Sequence, residues 1–182
     1  MEKQVTTQTH ADLAAFDDSV AGVIEKVWGD ATAAESGDVG KLWAAAAEQG
    51  WFELSAAGAL DLAIAATRRL GRAACPLPLL DVYAAAELFD EDGIATGVLR
   101  LVLTSDPNGP IDAGGAATHV LVIPAEGGRA RLCTIVDGTT LPGLAVPAWT
   151  RVILGEQVAG RDIDRRQADR ALVLTRLGKA AR

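Results

Sequence analysis

The sequence predicts an α+β fold: an all-α helical N-terminal domain, then a small antiparallel β domain, then one C-terminal helix. Three observations predict it. Apolar residues recur at steps of three and four through the first half of the chain. They then come in short β-branched runs separated by Gly, Pro, Asn and Asp. A helical period returns near the C-terminus. The divisions fall at 1–93, 94–160 and 161–182. A chain of 182 residues can bury a core without metal or disulfide staples.

The elements follow in order. His10 to Trp28 reads as an amphipathic helix with Leu13, Phe16, Val20, Ile24 and Val27 on one face. Thr9 is placed to cap it, with Asp12 three residues on, and Gly29 and Asp30 end it. Ala31 to Gly37 reads as a loop of small residues. A second helix, Asp38 to Gln49, carries the stripe Leu42, Trp43, Ala46 and Ala47. Gly50 suits the position just past its end, since it tolerates the left-handed backbone that closes a helix. Trp51 and Phe52 are expected to pack back onto it. A third helix, Ala57 to Ala74, aligns Leu60, Ala63, Ile64, Thr67 and Leu70, and Pro76 and Pro78 stop it. A fourth, Leu79 to Phe89, uses Leu79, Val82, Tyr83, Ala86 and Phe89.

Strands are expected at Val98–Thr104, Thr118–Ile123, Arg129–Val136 and Thr150–Leu154. In the third, Ala130, Leu132, Thr134 and Val136 share a face. The last helix follows Asp162, capped by Asp162 or Asp164, with Ala168, Leu172, Leu174 and Leu177 as its apolar positions.

Composition excludes some functions. The net charge of −7 repels phosphate backbones, so free nucleic acid is not an expected ligand. Cys75 and Cys133 lie far apart without metal-ligand spacing and read as buried, reduced thiols. Met1 to His10 lacks the apolar core of a signal peptide, and no apolar run approaches the ~18 residues of a membrane span. A soluble, cytoplasmic protein is expected. Much of the 49% hydrophobic fraction is alanine, which favours helix but contributes little buried area. Closely packed helices and a stability that leans on a partner are therefore expected.

Several segments resemble the acyl-CoA dehydrogenase superfamily. Lys41-Leu42-Trp43 through Glu48-Gln49-Gly50-Trp51-Phe52-Glu53-Leu54 is similar to that family's "LW…ELGW..L" helix end. Thr67-Arg68-Arg69-Leu70-Gly71-Arg72 with Pro76-Leu77-Pro78-Leu79-Leu80 resembles its "EELGRALAPGPLL" stretch. Leu101-Val102-Leu103-Thr104-Ser105 sits where the family has its "A.TEP" strand. Gly143 to Pro147 and Arg151 to Gly155 resemble a later strand. The sequence also departs from the family. Leu54-Ser55-Ala56-Ala57-Gly58 replaces an extended "PEEYGGLG" loop. Asp106 to Gly115 runs almost directly to Thr118, where the family has a hairpin ending in a flavin-facing "K.W.T" strand. The chain reaches about one helix into the family's C-terminal domain, which holds the catalytic glutamate, much of the flavin site and the oligomer interface.

The resemblance implies FAD chemistry, with a carboxylate base taking the α proton while flavin N5 accepts the β hydride. None of this chain's residues occupies the base position, so no catalytic residue is assigned. Glu48, Glu53, Glu87 and Glu156 read as surface carboxylates. Thr104 and Ser105 are the candidate cofactor-binding residues, for a flavin or a thioester carbonyl; the alternative is plain strand and turn hydroxyls. No metal site is expected. His119 reads as a structural strand residue, Gly114-Gly115 is too short for a phosphate loop, and Trp28, Trp43, Trp51 and Trp149 read as core or interface anchors. Arg161 to Arg182 holds seven basic and three acidic residues, a solvated helix face or a docking element for an acidic partner or a CoA phosphate.

Two functions remain open. One is a degenerate subunit of a heteromeric dehydrogenase that acts with a full-length subunit, or in self-association, on acyl-CoA. The other is a non-redox binding or structural module on the same scaffold.

Overall fold

The computed structural model describes residues 2–29, 38–54, 57–90, 92–113, 115–141 and 149–181. The helices are α1 (Glu2–Val27), α2 (Val39–Glu48), α3 (Leu60–Arg72), α4 (Leu79–Leu88), the one-turn α5 (Asp92–Ala95) and α6 (Arg165–Ala181), with a 3-10 turn at Trp51–Leu54. The strands are β1 (Leu101–Thr104), β2 (Ile111–Asp112), β3 (His119–Val122), β4 (Gly128–Thr140) and β5 (Trp149–Ile163). The order is the predicted one: helices, sheet, helix. The loop expected at Ala31–Gly37 and the Gly143–Pro147 segment lie outside the described residues.

The first helix starts earlier than expected and runs through Thr9, which is therefore not its cap. Residues 2–9 contain neither Gly nor Pro, so nothing stops the helix extending beyond its apolar stripe. Asp38 caps α2, its Oδ1 accepting the Lys41 N–H at 3.1 Å. Gly50 adopts φ +69° and turns the chain so that Trp51 and Phe52 fold back, each 1% exposed. The Trp43 and Phe52 rings stack with centroids 5.4 Å apart, and Trp43 Nε1 donates to the Gly97 carbonyl at 2.9 Å. The third helix begins at Leu60 rather than Ala57, because Gly58 adopts a left-handed φ of +69°.

Helix α4 is largely apolar and is buried except at Ala86 and Glu87, packed against α3, α6 and β1. Its approach to α6 is close: a Cβ added at Gly178 would stand 3.3 Å from Leu80 Cβ. At the start of α6, Asp164 Oδ1 accepts the Gln167 N–H at 2.8 Å while Gln167 Oε1 accepts the Asp164 N–H at 3.0 Å, a reciprocal cap.

The sheet runs β1-β3-β4-β5-β2. All its pairings are antiparallel except β1–β3, which is parallel. The sheet is thus the small antiparallel one expected, with that one parallel pair at its edge. A parallel pair needs a crossover of about a dozen residues or more, and residues 105–118 provide it. That crossover contains β2, absent from the sequence reading, which pairs with β5 at the opposite edge. The edge strands β1 and β2 thereby come into contact and the sheet curls. Val102, Ile111, Ala113, Val120, Val122 and Val152 form a small core on the enclosed side. The alternate residues Leu101, Leu103, Leu121 and Leu132 join the helical core, which also takes in Ile163, Ala168 and Leu172. Strand β5 is longer than expected, and three register shifts between β4 and β5 accommodate its length.

Candidate functional site

Thr104 ends β1 and Ser105 follows it into a turn. The Thr104 hydroxyl donates to the Asp106 carbonyl at 3.0 Å and accepts the Asp106 N–H at 3.1 Å. Asp106 Oδ1 in turn accepts the Asn108 N–H at 3.0 Å. The turn is closed on itself: the one hydroxyl proton of Thr104 is already used, Ser105 is exposed, and the next side chain is an anion. FAD brings a pyrophosphate, which needs cations or free N–H donors. The residues of this turn do not by themselves make a flavin site.

The titratable groups were read from sequence in part. Glu48, Glu53 and Glu156 are exposed, as is Glu87, which accepts two N–H bonds from Arg170 at 2.7 Å each. His119 is half-buried in β3 with Nδ1 2.8 Å from Thr118 Oγ1, and burial holds its pKa below the ordinary imidazole value. Sequence reasoning missed two buried carboxylates. Asp81 on α4 is 1% exposed, and its Oδ2 accepts the Leu103 N–H on the outer edge of β1 at 3.0 Å. Asp112 on β2 lies 3.6 Å from Lys179 Nζ, joining the sheet to α6. The available signal was an acid set inside the apolar run Leu79-Leu80-Asp81-Val82. These acids hold elements together and do not converge on a metal: among the described residues no His/Cys/Asp/Glu cluster is placed to bind one.

The tryptophans anchor structure. Trp28 Nε1 donates to the Ala73 carbonyl at 2.9 Å, tying α1 to the end of α3, and Trp43 and Trp51 are buried. Cys75 and Cys133 are buried free thiols. Between α1 and α3 runs a groove of about 580 Å³ lined by Ile24, Glu25, Arg69 and Arg72. Arg69 is fixed there by a bidentate contact with Asp17, whose carboxyl it holds below the usual range.

A strongly apolar hollow lies between α3 and α6. Leu60, Ile64, Thr67, Leu80, Leu174 and Leu177 line about 310 Å³, with Arg68 at its rim. A second hollow of about 560 Å³ continues past Leu60 and Leu174 to Tyr83, Glu87 and Val173. Leu60, Ile64, Val173 and Leu177 are 55%, 47%, 48% and 57% exposed. Sequence periodicity had placed Leu60, Ile64 and Leu177 on core-facing stripes. The stripe exists, but only its inner half (Ala63, Thr67 and Leu70 on α3) is covered.

No protein-family model and no curated protein matches this chain. Solved structures do match. A chain of a variant of the Tcur3481–Tcur3483 steroid acyl-CoA dehydrogenase superposes with a TM-score of 0.66 at 16% identity, covering 94% of this chain and 62% of that one. A chain of the ChsE4–ChsE5 complex from Mycobacterium tuberculosis superposes with a TM-score of 0.64 at 15% identity, covering 93% of this chain and 61% of that one. The chain spans about three fifths of the length of these matched chains. At such identity the likeness is one of fold.

Proposed function

We propose that this chain is a degenerate subunit of a heteromeric, flavin-dependent acyl-CoA dehydrogenase, an assembly that introduces an α,β double bond into an acyl-CoA thioester. In this reading a full-length partner subunit supplies the FAD and the catalytic glutamate, and this chain supplies scaffold and interface. The observation that carries it is the fold match along 94% of the chain to a steroid dehydrogenase chain, with a second match to a chain of a two-protein complex. The self-satisfied Thr104–Asp106 turn supports the same division of labour. Any contact of Thr104 and Ser105 with flavin is then at the rim of a site built by the partner. The two buried free thiols suit a reducing cytoplasm, and no helix among the described residues is long and apolar enough to cross a membrane.

The test is co-expression with a full-length acyl-CoA dehydrogenase from the same genome, followed by size-exclusion chromatography with visible absorbance. The expected result is a stable complex that carries the flavin band and desaturates an acyl-CoA, while the chain alone is colourless. A flavin band in the isolated chain contradicts the division of labour. The closed turn also favours a second reading, a non-redox module on this scaffold; a complex that forms but never holds flavin supports that reading instead.

A further inference from the structure

We infer that the groove between α3 and α6 receives an amphipathic helix of the partner subunit whose apolar stripe is flanked by carboxylates. This rests on the heteromer reading above and adds where the partner sits and what chemistry it presents.

Four large apolar side chains stand out of adjacent helices here, Leu60 and Ile64 on α3 with Val173 and Leu177 on α6. Leu80 and Leu174 floor the hollow between them. Single exposed leucines are ordinary, but a contiguous apolar strip of this kind marks an interaction site. Two neighbouring helices with a furrow between them present the shape that accepts a third helix.

Charge selects the occupant. On α6, Arg166, Arg170, Val173 and Leu177 follow at steps of four, three and four and so lie on one line down the helix, with Arg176 one turn beyond Val173. Arg170 is bound to Glu87, and Arg165 is shared between Glu126 and Asp169. Arg68, Arg166 and Arg176 are exposed and make no ion pair among the described residues, whereas the carboxylates that line the hollows, Glu87 and Asp169, are already paired with Arg170 and Arg165. The apolar strip thus sits in a basic frame on a chain whose net charge is −7. A second copy docked about a two-fold axis would set one basic frame against another. A helix of another chain with Asp or Glu beside its apolar stripe meets them with opposite sign.

The experiment uses the complex with the full-length dehydrogenase described above and two double variants of this chain. Ile64→Asp with Leu177→Asp puts charge on the strip, and Arg68→Glu with Arg176→Glu reverses the frame. All four residues are exposed, and unchanged circular dichroism of the isolated chain verifies the fold. The first variant is expected to weaken the complex by at least about tenfold. The second is expected to weaken it too and to flatten its salt dependence. Amide exchange along α3 and α6 is expected to slow on complex formation. If the complex forms but the first variant binds as tightly as the parent, the groove inference is overturned while the subunit reading stands. If no complex forms at all, both fall. A homodimer of the isolated chain that Leu177→Asp disrupts makes this face a self-interface and overturns the inference. Indifference to salt and to the charge reversal overturns its acidic part.

Discussion

Helices α4 and α6 lie side by side, yet their surroundings differ. Around α4 the chain closes on all sides but that of Glu87: Leu79, Leu80, Asp81, Val82, Tyr83, Ala84, Ala85 and Leu88 are all buried. On α6, Ala168, Ala171 and Leu172 face α4 and are buried, while Val173 and Leu177 point outward and remain half exposed. Helix α3 repeats that division, with Ala63, Ala66 and Leu70 inside and Leu60 and Ile64 outside. The difference teaches that one helical layer is completed within this chain and the next is left open. Substitutions on α4 therefore report on folding, and substitutions on the outer face of α3 and α6 report on assembly.

That contrast can be tested in descending steps. Leu79→Ala removes a side chain 1% exposed in the first turn of α4 and is expected to cost about 2–5 kcal/mol of unfolding free energy. Urea denaturation measures it, and a cost near zero would show that α4 is less enclosed than described. Tyr83→Phe removes the buried hydroxyl that donates to the Trp51 carbonyl and is expected to cost about 1–2 kcal/mol with an unchanged denaturant slope. The burial that raises the pKa of Tyr83 also predicts no phenolate absorbance in the native protein until it unfolds at high pH.

Smaller effects belong to the open face. Arg170→Ala breaks the bidentate pair with Glu87, but both partners are solvent-accessible; a slight fall in melting temperature that added salt abolishes is expected. Leu177→Asp is expected to leave the isolated chain within about 0.5 kcal/mol of the parent, since the side chain is 57% exposed. A larger loss would mean that the face is already covered. The smallest effect concerns pH. The folded pKa of His119 is depressed by burial, so the folded state binds its proton less readily than the unfolded chain. Its contribution is fully present above about pH 6.5 and is lost as pH falls from there through the folded pKa. His119→Gln is expected to remove that slope from a stability profile between neutral and mildly acidic pH.

How far the sequence revealed the molecule follows from the same contrast. The start of α2 at Asp38, the turn at Gly50 and the extent of α4 were legible because each depends on local residue chemistry. Periodicity also found the stripe Leu60-Ala63-Ile64-Thr67-Leu70, but it cannot say whether anything lies against each half of it. The parallel β1–β3 pair and the two-residue β2 depend on contacts between distant segments, and β2 is too short to carry a pattern. At the candidate site, Thr104 and Ser105 were recognisable as hydroxyl-bearing residues at a strand end. That Thr104 spends its hydroxyl on Asp106 is a matter of turn geometry that composition does not encode. Asp81 was visible as an acid in an apolar run, yet its partner Leu103 is 22 positions away.

The close seat of Gly178 against Leu80 has a consequence for biosynthesis. The core of the early helices is completed by residues made far later in the chain, so α4 leaves the ribosome well before the helix that covers it. Translation from the end of α4 to the start of α6 takes roughly 4–15 s at ordinary elongation rates. During that interval the most apolar helix of the protein has no lid. Nascent chains stalled before α6 should bind chaperones and resist release, and chains extended past Gly178 should let go.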